Sequence, residues 1–324
     1  MPADRPAIGA VVGGQGMSAQ HMFRLTSDVE QLGMDSVWLP QMPNQLEVGT
    51  LLAGLAVRTE RLRLGTAILP MYSRPPVVMA QTAATIDEMS GGRVNLGLGL
   101  GHRGIGDWMV GGRSVPALAG TREYLGVVTQ LCHEGEVNVD GEWYGGHASL
   151  PPGRRDDLPV LLGAFGPRML ELAAEVADGV ILWMCTPQYV TDVVLPALRR
   201  GWAKRGGRPD GFRVVAMMHA AVSDEPDRDR ELFGRLLASY LRVATYRALF
   251  RNSGFADCVE TGRADAGMVS ALAAIGPEEA ARGLAAFRRA GVDEVVIAPA
   301  GTAQRGYETC LQTLRATYGI SASA

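Results

Sequence analysis

Eight short runs of β-branched and leucine residues, separated by segments of helical periodicity, constrain this chain more than any other feature. They are Ala7–Val12, Ser36–Leu39, Leu62–Leu69, Val94–Gly99, Pro159–Gly163, Val180–Met184, Phe212–His219 and Glu294–Ala298. Alternation of such runs with helical patterns is the mark of βα units. Between the first two, Met22, Leu25, Val29 and Leu32 fall three and four apart, on one face of a helix, and Gly33 supplies its stop. Further helices are expected at Leu46–Arg58, Pro75–Met89, Arg122–His133, from Gly166 to Asp178, and at Pro187–Arg205, the last with a kink at Pro196.

Eight βα units favour a (β/α)8 TIM barrel over an open doubly wound sheet. The 324 residues agree with a single barrel domain over 1–324, since such barrels take about 250 residues plus insertions. Two insertions are expected. One, at about 137–157, contains a hairpin-like segment with a turn signal at Asp140-Gly141. The other, at about 224–276, is mostly helical and rich in Arg, Tyr and Phe around Tyr240–Phe255. Both are expected to form a lid over the C-terminal mouth.

Composition excludes several classes. A net charge of -3 with no basic run argues against nucleic acid or an anionic membrane as partner. Cys132, Cys185, Cys258 and Cys310 lie far apart, with no C-x-x-C pair, which fits a reducing compartment and no disulfide framework. No signal-like N-terminal stretch or membrane-length apolar run is present, so a cytoplasmic protein is expected. The five histidines, His21, His102, His133, His147 and His219, show no metal-ligand spacing, and no metal is expected.

In a barrel of this type the chemistry sits at the C-terminal ends of the strands. Glycines dominate there. Leu96-Gly97-Leu98-Gly99-Leu100-Gly101 alternates Gly with Leu, which serves either close packing or the approach of a flat cofactor. It is not a dinucleotide fingerprint, and Glu123 is only a weak ribose ligand. More informative is Gly163-Ala164-Phe165-Gly166-Pro167-Arg168-Met169, a strand end opening directly into a helix with proline in its first turn. Free N–H groups at such a terminus bind phosphate, and Arg168 adds a charge. His102 follows the glycine strand as a candidate proton donor, its ordinary pKa being near neutral. His219 ends the seventh strand and is a further candidate to face the pocket, while Trp108, Trp143 and Tyr144 are expected to pack the first insertion.

Several segments, in order, resemble the luciferase-like monooxygenase superfamily. They are Asp35-Ser36-Val37-Trp38, Arg58 to Thr66, Arg74-Pro75-Pro76, Ser90-Gly91-Gly92-Arg93 leading into Leu96–Gly99, Gly166–Leu170, Ala177-Asp178-Gly179 and, near the end, Ala290-Gly291-Val292-Asp293. Within that superfamily the chain is most similar to the deazaflavin (coenzyme F420) branch that includes methylene-tetrahydromethanopterin reductase. The resemblance implies a ring bound against a bulged third strand at Ala67, Ile68 and Leu69, with a non-prolyl cis peptide at Ala67–Ile68. Gly99 and Gly101 would approach the ring, and the cofactor phosphate would lie on Gly163, Ala164, Gly166, Pro167, Arg168 and Met169. It also implies a homodimer, through the second and third helices.

There are departures. Where many deazaflavin enzymes carry an acid–His pair after the second strand, this chain has Gln41-Met42, and His102 stands where sugar-phosphate dehydrogenases place an acid. The leading expectation is therefore an F420-dependent oxidoreductase transferring hydride to or from a small organic substrate. The alternatives are an FMN-dependent monooxygenase using O2 and a separate reductase, and a barrel that binds flavin without turnover.

Overall fold

The computed structural model describes residues 7–14, 16–101, 115–300 and 302–323. In chain order its elements are β1 (Ala7–Val11), α1 (Ala19–Leu32), β2 (Ser36–Leu39), α2 (Val48–Ala56), β3 (Arg63–Thr66), β4 (Leu69–Pro70), α3 (Pro76–Ser90) and β5 (Val94–Gly99). Then come α4 (Ala117–His133), β6 (Glu136–Val139), β7 (Gly146–Ser149), β8 (Val160–Gly163), α5 (Pro167–Val176), β9 (Gly179–Leu182) and α6 (Leu195–Arg205). The chain ends with β10 (Arg213–Ala221), α7 (Pro226–Tyr240), α8 (Ala244–Asn252), α9 (Ala256–Thr261), α10 (Ala266–Leu272), β11 (Ala273–Ile275), α11 (Pro277–Arg289), β12 (Glu294–Pro299) and α12 (Thr302–Ala322). The succession of parallel strands and helices is that of a (β/α)8 barrel.

Each of the eight expected strands is present, with ends shifted by at most three residues. The expected Leu62–Leu69 strand is interrupted: β3 stops at Thr66, the Ala67–Ile68 peptide is cis, and β4 resumes at Leu69. α4 begins at Ala117, five residues before the expected start at Arg122. Ahead of α6, Val190–Val194 winds as a π-helix, so the irregularity expected at Pro196 lies just before it. β6 and β7 pair antiparallel, Val137 opposite Ala148, but a six-residue loop joins them instead of a tight Asp140-Gly141 turn. β11, inside the segment read as helical, was not expected.

The chain forms two compact units. The first comprises residues 1–36, 182–196 and 214–324, and the second residues 37–181 and 197–213. In the first, β11, β10, β12 and β1 lie side by side, with Ala7 opposite Glu294 and Val215 opposite Glu294 on the other flank. In the second, β3, β5, β8 and β9 follow one another in parallel register, Leu64 on Val94, Leu96 on Val160 and Leu161 on Gly179.

Local chemistry explains why α1 sits where it does. Ser18 accepts the His21 N–H at its start, and Gly33 closes it in the left-handed region at φ 93°. Met22, Leu25 and Val29 are buried on one face, and each such side chain contributes roughly 1.5–3 kcal/mol by leaving water.

Much of the motif resemblance turns out to be architectural. Asp35, Asp178 and Asp293 each precede a strand and brace the start of an adjacent one. Asp35 Oδ2 accepts the Ile8 N–H at 2.7 Å, Asp178 Oδ2 that of Val160 at 2.9 Å, and Asp293 Oδ2 that of Val214 at 2.7 Å. In each case the aspartate's own N–H returns to the carbonyl of the same residue. A carboxylate thus satisfies a strand N–H that has no ladder partner. Arg93 does similar work for α2, its Nη1 and Nη2 donating to the carbonyls of Leu62, Ala56 and Thr59 and to Thr59 Oγ1. Gly65 is needed because a β-carbon there would enter the Trp38 indole, which is fully buried. These residues lie at the N-terminal ends of strands or in the core, where a barrel stores stability and not chemistry.

Candidate active site

The C-terminal ends of β3, β5 and β8, all in the second unit, bring together most of the residues singled out from sequence. Ala67 and Ile68 are half-buried between buried Thr66 and buried Leu69. The Ile68 side chain lies across the neighbouring strands. A β-carbon on Gly99 would stand 3.0 Å from Ile68 Cγ1, and one on Gly163 would stand 2.9 Å from Ile68 Cγ2. Gly97 has a different reason to be glycine, because its β-carbon would fall on the Thr66 carbonyl oxygen. Thr66 Oγ1 locks that approach, donating to the Gly97 carbonyl at 2.7 Å and accepting its N–H at 2.8 Å. The packing reading of the Gly–Leu alternation therefore holds for Gly97 and Gly99. Its effect is a low, apolar floor of backbone around Ile68. Beyond it Leu100 is 41% exposed, and Gly101 takes a left-handed φ of 62°.

β8 runs from this floor straight into α5. Ala164 is buried and donates its N–H to the Ile181 carbonyl. Gly166 is the N-cap of α5 and supplies no side chain to cap it. The N–H groups of Met169 and Leu170 bond back to the Gly166 carbonyl, leaving that of Arg168 without a partner among the described residues. A β-carbon on Gly166 would meet nothing within 4 Å, and Pro167 and Arg168 are exposed. An open, uncapped ten-residue helix start with an arginine beside it suits a phosphate. Flat floor and anion-competent terminus are thus three residues apart, and both fit a planar cofactor with an anionic tail.

Sequence reasoning missed some participants. Gln41, in place of the acid–His pair, is occupied structurally: its Nε2 donates to the Met42 carbonyl at 3.0 Å and its Oε1 accepts the Val48 N–H at 2.8 Å. Glu123 is no ribose ligand, because its carboxylate accepts the N–H groups of Glu142, Trp143 and Tyr144 and so fastens the hairpin loop. Tyr144 packs edge-on against Tyr124 at 5.1 Å, as expected for the insertion. Tyr72 was overlooked. Its hydroxyl borders Gly101, and partial burial raises its pKa, so it remains a protonated donor. Its only signal was its place two residues beyond Pro70. His102 and Trp108 lie outside the described residues.

The first unit presents its own group, made by Trp183, which follows β9, by β10 and by the helices after it. His219 is 3% exposed, edge-on to Trp183 at 4.6 Å and beside Phe233 at 4.9 Å. Burial alone depresses its pKa to about 3, so the imidazole is neutral at ordinary pH. Among the described residues its Nε2 meets no hydrogen-bond partner. Trp183 and Tyr240 are both half-buried, joined by a 3.0 Å bond from the indole Nε1 to the phenol oxygen, and Tyr246 backs Tyr240 at 4.5 Å.

A separate cleft of about 400 Å³, lined by His133, Asp178, Arg205 and neighbouring polar groups, opens at the N-terminal ends of β8 and β9. It is charged where a planar cofactor needs an apolar wall, and it lies at the wrong end of the strands. Among the described residues no group of three or more His, Cys, Asp or Glu could hold a metal. None of their helices is long and apolar enough to cross a membrane.

Comparison with known proteins agrees with this geometry. The profile of the family described as luciferase-like monooxygenase matches residues 5–294, and the chain belongs to that family. It is 33% identical over 204 residues to the 5,10-methylenetetrahydromethanopterin reductase of Archaeoglobus fulgidus, a match covering 62% of this chain and 59% of that relative. The match thus spans less than two thirds of the relative's length. The solved coenzyme F420-dependent tetrahydromethanopterin reductase of Methanopyrus kandleri superposes with a TM-score of 0.78 at 23% identity, covering 96% of this chain and 97% of that one. The oxygenating constituent of 3,6-diketocamphane monooxygenase from Pseudomonas putida, solved with FMN, gives 0.72 at 16% identity over 98% of each chain. At such identities the two superpositions establish the common fold.

Proposed function

We propose that this protein is an oxidoreductase that uses reduced deazaflavin F420 to transfer hydride to or from a small organic substrate. The observation that carries the proposal is the continuity between the Ile68 floor and the uncapped start of α5. The name of the Archaeoglobus fulgidus relative points the same way.

Ala67, Ile68 and Leu69 would hold the ring, with Gly99, Gly101 and Gly163 keeping the surface low enough for it. Gly166 and Arg168 would hold the phosphate, with Met169, whose N–H is already given to the Gly166 carbonyl, lying beside it, while Pro167 fixes the first turn of the helix and Ala164 its approach. When bound, the deazaflavin supplies two-electron hydride chemistry. The protein's part is to orient the ring, exclude water and provide a proton, from His102 or from the Tyr72 hydroxyl. Gln41 is spent on its own loop, so no acid–His pair is available there for oxidising an alcohol or sugar, and reduction is the favoured direction.

The same reading places the enzyme in the cytoplasm, with a separate reductase returning the cofactor to its reduced form. It is proposed to be a homodimer. Leu46, Val57, Val78 and Met89, on and beside α2 and α3, are between 44% and 65% exposed and would be covered in such a dimer.

Titration of the purified protein with F420 and with FMN, followed by cofactor fluorescence, tests the proposal. Micromolar binding of F420, with FMN at least about tenfold weaker, is expected. Tight binding of FMN alone would transfer the assignment to the O2-using monooxygenases. Binding without turnover across a screen of reducible substrates would indicate a carrier. His102→Ala is expected to slow turnover without weakening F420, and full turnover in that variant would remove His102 from the mechanism.

A further inference from the structure

We propose that Tyr72 recognises the substrate, an uncharged α,β-unsaturated ketone or aldehyde whose carbonyl oxygen takes a hydrogen bond, and then a proton, from the Tyr72 hydroxyl. That the proton completes a hydride transfer rests on the redox reading above; the hydrogen bond itself does not. Every protein group involved lies in the second unit.

Four tyrosine oxygens of this chain are spent on the protein itself. Tyr124 donates to the Arg74 carbonyl at 2.9 Å, Tyr318 to that of Gly33 at 3.0 Å and Tyr307 to Asp28, while Tyr240 accepts from Trp183. The Tyr72 hydroxyl bonds to no group among the described residues. Its place is nevertheless fixed. Met71–Ser73 forms a 3-10 turn in which Met71 is buried and Ser73 Oγ donates to the Pro70 carbonyl at 2.6 Å. Tyr72 is half-buried and stands against exposed Gly101, where a β-carbon would come within 3.1 Å of the hydroxyl oxygen and 3.2 Å of Cε1. Gly101 lies two residues beyond Gly99, which borders Ile68, so the hydroxyl stands at the edge of the proposed cofactor floor.

The surroundings specify the ligand. Burial alone raises the Tyr72 pKa, with no contribution from a neighbouring charge. Arg74, two residues on, is engaged, its Nη2 on Glu47 Oε1 at 2.5 Å and its Nη1 on Ser73 Oγ at 3.4 Å. Ile68 and Leu100 offer apolar surface. A neutral donor in apolar company suits an uncharged molecule with one acceptor oxygen. A phenol that holds its proton can give one but cannot collect one from an alcohol, so the site serves reduction, and an enone meets that condition. Its β-carbon takes the hydride, the displaced π electrons reach the carbonyl oxygen, and Tyr72 supplies that oxygen with a proton. Water returns a proton to the phenolate. The resulting enol becomes the saturated ketone by exchanging its O–H proton for a C–H proton at the α-carbon, a step for which His102 remains the candidate named above.

The test uses the full chain carrying tyrosine labelled with carbon-13 at Cζ, with oxidised F420 bound. Cyclohexanone is the probe, and cyclohexane is the ligand lacking the oxygen. A saturable shift of one tyrosine signal by cyclohexanone, and none by cyclohexane, is expected, and that signal should be the one missing from Tyr72→Phe. With reduced F420 and cyclohex-2-enone, Tyr72→Phe should lower kcat about 100-fold while KM rises no more than about fivefold. Its Tm and its affinity for F420 should equal those of the parent, because the hydroxyl it loses holds nothing in the described protein.

Tyrosine signals that cyclohexanone leaves unmoved would overturn the proposal, and that measurement needs only the unmodified protein. So would a shifted signal that persists in Tyr72→Phe, or an undiminished kcat in that variant. A chain that binds F420 and cyclohexanone yet leaves cyclohex-2-enone unreduced would overturn the proton-transfer step. If F420 itself does not bind, the redox reading fails, and the cyclohexanone titration of the cofactor-free chain still decides the hydrogen bond.

Discussion

Ile68 lies so close to Gly99 that a β-carbon on the glycine would stand 3.0 Å from Ile68 Cγ1. The contact joins the break between β3 and β4 to the end of β5 and ties the height of the proposed cofactor floor to the absence of one methyl group. It also separates two glycines that look alike in sequence. At Gly99 the obstacle is the Cγ1–Cδ1 arm of the Ile68 side chain at 3.0–3.1 Å, a contact relieved by a shift of a few tenths of an ångström, whereas at Gly97 it is the Thr66 carbonyl, which cannot step aside.

Gly99→Ala should therefore fold with a loss of about 1 kcal/mol and weaken cofactor binding by raising Ile68, while Gly97→Ala should lose about 3 kcal/mol or more. Urea unfolding of both variants measures the difference. Equal losses would show that the Thr66 contact does not govern the β3–β5 approach.

Arg168 is exposed beside the free helix terminus, so its removal should affect ligand and not fold. Arg168→Ala is expected to weaken F420 about five- to tenfold at low salt, with a smaller effect at high salt as screening rises, and to leave Tm unchanged. An affinity equal to that of the parent at every salt concentration would move the phosphate site elsewhere.

Asp35 should behave in the opposite way. Asp35→Ala leaves the N–H of buried Ile8 without its carboxylate partner, a loss of about 1–3 kcal/mol in unfolding free energy. Cofactor affinity of the folded fraction should not change. If denaturation curves of the variant and parent coincide, the aspartate brace has no energetic role.

His133 predicts a pH dependence. Its Nε2 faces two acceptors, the Leu158 carbonyl at 3.0 Å and Asp178 Oδ2 at 3.3 Å, so that nitrogen carries the proton. The hydrogen bond to Asp178 raises its pKa against the opposing effect of burial, and the charge on Asp178 adds to it. For a histidine whose folded value is raised, the stabilisation is complete below the unfolded value of about 6.5 and disappears as pH climbs through the higher folded value. The Tm difference between the parent and His133→Gln should accordingly shrink from pH 5.5 to pH 8.5, in steps that scanning calorimetry resolves. A constant difference would mean that the pair is held without charge.

How much of this was legible in advance depends on the range of the interaction concerned. The eight strands, the α1 face of Met22, Leu25 and Val29 with its stop at Gly33, and the opening of α5 at Gly166-Pro167 were readable because periodicity, capping and proline placement act within a few residues. The amino-acid order alone thus determined the (β/α)8 class, and it placed an anion-competent helix start directly after a glycine-ended strand. Only the folded chain decided what individual side chains were doing. Gln41 and Glu123 looked available and are consumed by loop amides. Asp35, Asp178 and Arg93, conspicuous as motif residues, serve strand and helix ends, whereas Tyr72 drew no notice. Gln41 is used up by near neighbours, one and seven residues away, but the other outcomes depend on which group from a distant stretch of chain, 27 residues away for Ile8 and Asp35, arrives at hydrogen-bond distance. Composition and spacing carry no record of that, because whether a polar atom is used up or left free is settled only when packing closes around it.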